Sequence, residues 1–80
     1  MPYHKTHIKK GTLGQFSKII EEFEELKDAH NQGSKIMEFI ELSDLLGAIE
    51  AYIKPNGLEL YDLILMKDIT VSAFKDGTRK

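Results

Sequence analysis

The stretch KIMEFIELSDLLGAIEAYI, residues 35 to 53, constrains this chain more than any other. Read as a helix at about 100° per residue, it spreads Ile36, Phe39, Ile40, Leu42, Leu45, Leu46, Ile49 and Ile53 around most of its circumference. A helix that is apolar nearly all round is buried nearly all round. Eighty residues make one domain with a limited core, and two partner helices from the same chain cannot cover such a helix. The pattern predicts a homodimer or homotetramer with this helix in the middle of a bundle.

Two more helices are readable, and no convincing strand, so the expected class is all-α. Residues 12 to 33 open on Thr12 and Gln15, spaced like a capping box. Phe16, Ile19, Ile20, Phe23, Leu26 and His30 then recur at helical spacing, and Asn31 and Gly33 end the run. Ser34 is the expected N-cap of the central helix. KPNG breaks the chain, Asn56 and Glu59 read as the next cap, and Leu58, Tyr61, Leu65, Ile69 and Ala73 form one stripe up to Asp76-Gly77. Residues 1–11 and 77–80 are expected to be loose tails of a single domain spanning 1–80.

Composition narrows the classes further. The absence of cysteine excludes disulfides and thiolate metal sites. No segment approaches the roughly 18 apolar residues of a membrane span. MPYHKTHIKKG lacks the apolar stretch of a signal peptide, so a soluble, cytoplasmic protein without a membrane partner is expected. Residues 21 to 50 hold nine of the thirteen acids against Lys27 and Lys35, a net −7, and the remainder is +5. An acidic centre repels nucleic acid, so none is expected as a partner. That distribution suits a cation site with an anionic ligand across it; charge alone equally fits a solvated acidic helix.

The placement of the acids is more specific. Glu41 and Asp44 share a face of the apolar helix beside Met37, Ala48 and Ala51, with no Lys or Arg on that face. An uncompensated buried carboxylate takes up a proton or needs a cation. Glu22 and Glu25 make a second such pair on the preceding helix, Glu22 bordering its apolar stripe while Glu21, Glu24 and Asp28 turn toward solvent. Packed antiparallel, the helices would bring four hard oxygen ligands together, the donor set of Mg2+ or Mn2+. A solvated face paired with Lys18 and Lys27 explains the first cluster but not Glu41 and Asp44.

The pattern Glu21-Glu22-x-x-Glu25, fifteen residues, then Glu41-x-x-Asp44 resembles the MazG-like nucleoside triphosphate pyrophosphohydrolases. FSKIIEEFEELKDA, ELSDLLGAIEAY and MKDITVSAFKDGTRK fit as well, and the likeness covers residues 11 to 80, nearest to short phage and bacterial forms. It implies a magnesium-dependent hydrolase that splits a nucleoside triphosphate into monophosphate and pyrophosphate. Glu22, Glu25, Glu41 and Asp44 would then ligate the metal, and Glu21 or Glu25 would accept the proton of the attacking water. Lys67, Lys75 and Arg79 are candidate phosphate contacts. The histidines His4, His7 and His30 lack zinc-site spacing and read as tail or helix-end residues. A nucleotide–metal sensor without turnover and a helical interaction module are the alternatives.

Overall fold

A computed structural model describes His4 and residues 6–77. It is helical, with no strand among the described residues: α1 (Phe16–Gln32), α2 (Lys35–Ile53), a single 3-10 turn (Lys54–Asn56) and α3 (Leu60–Asp76). Among the described residues no helix is long and apolar enough to cross a membrane. Arg79 lies outside the described residues.

Two of the three helix starts differ from the sequence reading. Gln15, not Thr12, is the N-cap of α1, and no side chain caps it. Gly14 (φ 92°) turns the chain there, so the Thr12 carbonyl accepts from the Gln15 N–H at 2.9 Å as part of a tight turn. Ser34 does cap α2, its Oγ accepting from the Met37 N–H at 3.3 Å. For α3 the cap moves from Asn56 to Glu59, which exchanges hydrogen bonds with Asp62. Pro55 draws Asn56 into the 3-10 turn instead.

Gly33 ends α1 in the left-handed region (φ 79°), and only Gly33 and Ser34 separate α1 from α2. A connection so short makes an antiparallel hairpin. The cross-pairs agree: His30 with Glu38, Glu25 with Glu41 through His4, and Phe16 edge-on to Tyr52 with ring centroids 6.0 Å apart. Contacts of α3 with the other helices fall on α2 alone, where Leu60, Leu63 and Ile64 share a cleft with Leu46 and Ile49.

The hairpin is inside out. Lys18, Glu21, Glu22, Glu25, Asp28, Ala29 and Gln32 lie on one stripe of α1, and that polar stripe faces α2. The apolar stripe of Phe16, Ile20 and Phe23 is turned outward, with Phe16 58% exposed. This corrects the expectation that Glu21 and Asp28 turn to solvent; both are buried. On α2, Glu41, Ala48 and Ile53 are buried while Ile36 is 76% exposed. The only buried apolar residues among those described are Ala29, Ala48 and Ile53. The radius of gyration is 14.7 Å, against about 12 Å for a compact chain of this length.

Candidate metal centre

Small residues allow the helices to close on a charged interior. Ala29 and Ala48 are fully buried, or nearly so, on the facing sides of α1 and α2. Longer side chains would hold the helices apart. Around them, carboxylates from both helices converge. Donor oxygens of Glu22, Glu41 and Asp44 lie within 4.8 Å of one another, as do those of Glu21, Glu22 and Glu25. The structure thus brings together all four residues expected as ligands, with Glu21 beside them.

Lys10 Nζ reaches Glu21 Oε2 at 3.6 Å, and two further cation-capable groups from outside α2 enter this cluster. Lys18 Nζ lies 2.9 Å from Glu22 Oε2 and 3.1 Å from Glu21 Oε1, one turn back on α1. Hydrogen bonding to Glu22 raises the Lys18 pKa against the opposing effect of burial. The Lys18 pairing expected of a solvated face is therefore present, but at a buried one; Lys27 pairs only with Glu24 at 3.6 Å. The second cation-capable group is His4, which the sequence reading left in a loose tail. Its Nε2 lies 3.2 Å from Glu25 Oε1 and 3.0 Å from Glu41 Oε2, and its Nδ1 lies 2.9 Å from Asp28 Oδ2. Asp28 also accepts from Thr6 Oγ1 at 3.2 Å and Gln32 Nε2 at 2.8 Å. The Gly11 N–H donates to Glu21 Oε1 at 2.8 Å, which ties the end of the same segment to α1.

The electrostatics show a crowded set of charges. Burial, the hydrogen bond with Glu21 and the charges of Glu22 and Glu41 push Glu25 up to about 7, His4 opposing. Burial would raise Glu21 too, but the Gly11 N–H, Lys18 and Glu25 outweigh it and hold Glu21 at about 2. Of the two, Glu25 is the one that favours its proton. Burial and the adjacent Glu41 raise Asp44, with Lys18 opposing. Glu22 Oε1 is buried with no hydrogen-bond partner among the described residues, in a residue only 6% exposed.

The residues fit a hard divalent cation. The donors are oxygens, they come from two helices, and a buried carboxylate oxygen has no hydrogen bond among the described residues. The candidate phosphate contacts stand apart from them within one chain. Lys67 pairs with Asp68 at 2.6 Å on α3, Lys75 is exposed near the end of α3, and α3 makes no contact with α1. His7 and His30 are exposed, as expected, although His30 Nδ1 reaches Glu38 at 3.3 Å.

Lys18 and Asp28 were recoverable from sequence, because positions 18, 21, 22, 25, 28 and 32 form one helical stripe. Nothing local marks His4 or Thr6, which reach Asp28 across separations of 24 and 22 residues. No family model matches this chain, and no similar curated protein or solved structure is found.

Proposed function

We propose that this chain is a magnesium-dependent nucleoside triphosphate pyrophosphohydrolase of the MazG-like kind, working in the cytoplasm as a homo-oligomer. The observation that carries the reading is the meeting of Glu22 and Glu25 with Glu41 and Asp44 across the hairpin. Those residues would hold Mg2+, with Mn2+ as the alternative. The metal when bound would neutralise substrate phosphates and favour attack by water on the α–β linkage.

The chain's own groups divide the remaining work. Glu21 accepts from Gly11 and Lys18, so it positions Lys18 and the preceding segment rather than serving as a free base. Glu25, poised near neutrality, is the group suited to exchange a proton with water. Lys67, Lys75 and Arg79 are assigned to phosphates in an assembly, where α3 of one protomer would approach the hairpin of another. The outward stripes of α1 and α2 support that assembly. Phe16, Ile19, Ile20, Phe23, Leu45 and Ile49 line an apolar groove of about 350 Å3 that none of the described residues fills.

The helical interaction module has one observation in its favour: Lys18 and His4 already compensate part of the acidic cluster. Product chromatography separates the readings. Purified protein is incubated with ribo- and deoxyribonucleoside triphosphates, with Mg2+, Mn2+ or chelator, beside a Glu41→Ala/Asp44→Ala control. Metal-dependent monophosphate and pyrophosphate, absent from the control, are expected. Diphosphate and phosphate would move cleavage to the β–γ bond. No product from a folded sample would leave the sensor or the module, and a melting shift on adding Mg2+ would choose the sensor.

A further inference from the structure

We propose that His4 is a metal ligand, its Nε2 joining Glu25 and Glu41 in a nitrogen-containing subsite selective for transition-series divalent ions. The inference rests on the carboxylate cluster above being a metal centre, and adds to it a ligand, a supporting residue and a selectivity.

Three elements supply the donors: the segment before α1, α1 itself and α2. His4 Nε2 stands 3.2 Å from Glu25 Oε1 and 3.0 Å from Glu41 Oε2, and Glu25 and Glu41 approach each other within 4.8 Å. Ligand bonds of about 2.1 Å put neighbouring donors of an octahedral ion about 3.0 Å apart, and slightly further in a tetrahedral one. The separations of His4 Nε2 from Glu25 and Glu41 are those of atoms that can share one ion.

The far side of the ring argues the same way. A ligating imidazole characteristically donates its other N–H to a carboxylate, which fixes tautomer and orientation. Asp28 stands 2.9 Å from His4 Nδ1, is buried, and is itself held by Thr6 and Gln32. With Nδ1–H directed at Asp28, the Nε2 lone pair points at Glu25 and Glu41. An independent observation lies next to this subsite. Glu22 Oε1 is buried without a hydrogen bond among the described residues, while Oε2 pairs with Lys18; the residue is 6% exposed and contributes an oxygen to one set with Glu25 and to another with Glu41.

Imidazole nitrogen favours Mn2+, Co2+ or Zn2+ over Mg2+, which prefers oxygen alone. Glu22, Glu41 and Asp44 form an all-oxygen set on the other side of Glu41. The hairpin therefore offers two chemically different subsites that share one carboxylate.

The test uses the whole chain with Mn2+ and Mg2+ as probes. Electron spin-echo envelope spectroscopy of the Mn2+ form should show coupling to a directly bound 14N, lost in His4→Gln and kept in His7→Gln. Calorimetric titration should show Mn2+ affinity falling on the order of a hundredfold in His4→Gln and about tenfold in Asp28→Asn, with Mg2+ affinity changed less than about threefold. A wild type that binds Mg2+ and Mn2+ without nitrogen coupling, with affinities unmoved by His4→Gln, overturns the inference and spares the magnesium reading. Tighter Mn2+ binding in His4→Gln also overturns it, making His4 a strap that metal displaces. A wild type that binds neither ion overturns both.

Discussion

Replacing Glu41 by Gln gives the sharpest test of what the buried cluster is for. The side chain is fully buried, and Gln keeps its shape without its charge. In chelator, two opposing changes are expected. Repulsion is relieved: Glu41 is a cause of the raised pKa of both Glu25 and Asp44. Two ionised carboxylates at the 4.8 Å limit of the cluster repel by about 3.5 kcal/mol at an effective dielectric constant of about 20. Proton uptake by Glu25 already removes part of that. The ion pair with His4 is lost in turn, at a cost of the same order. These nearly cancel, so the metal-free variant should melt within about 5 °C of wild type, a change of under about 1 kcal/mol. Metal should separate them. At a hundred times the dissociation constant a ligand stabilises by about 2.7 kcal/mol, which for a chain of this size raises Tm by on the order of 10–20 °C. Wild type should show that rise with Mg2+ and Glu41→Gln should lose most of it, in thermal melts followed by circular dichroism at one protein concentration. A variant that melts more than about 10 °C early in chelator, beside a wild type indifferent to Mg2+, would make Glu41 a structural acceptor and refute the metal argument.

Three further outcomes are expected. Glu25 holds a proton in the folded chain up to about pH 7 that the unfolded chain releases near 4.5. Metal-free stability should therefore fall as pH rises through that window, by up to about 3 kcal/mol. The raised pKa of His4, which its hydrogen bond to Asp28 and the nearby carboxylates sustain against burial, adds to the loss above 6.5; urea midpoints with and without Mg2+ check this, since a bound metal would displace the proton and flatten the decline. Phe23→Glu, in the outward groove of α1, should shift sedimentation toward monomer and weaken association on the order of tenfold to a hundredfold, the loss of about 1.5–3 kcal/mol of apolar burial. Ser34→Ala removes the α2 cap and should cost about 1 kcal/mol in denaturant unfolding.

The three helices were legible because each has a long periodic run and a punctuating glycine or cap. The acidic pairs were legible because i,i+3 spacing fixes a face, and a two-residue connection forces that face back onto its neighbour. Helix starts were less so: the turn at Gly14 and the ring of Pro55 moved two caps by three residues. Glu21 and Asp28 were expected toward solvent for a physical reason. An apolar stripe is expected to face the nearest partner helix, and here the polar stripe does. His4 was invisible because its partners are set by tertiary approach and not by local pattern. The carboxylates it joins, by contrast, are each one helical turn from another.

The inverted hairpin reverses the customary map of mutational tolerance. In most small proteins, charge introduced at an apolar helix position unfolds the chain, and neutral changes at acidic positions pass unnoticed. Here Phe16, Phe23 and Ile36 should accept polar replacements with the protomer's own fold intact, at the expense of its neighbours. Glu21, Asp28 and Glu41 should refuse bulky apolar ones. A saturation library scored for folding alone and again for assembly would return two maps, each nearly the negative of the other along α1.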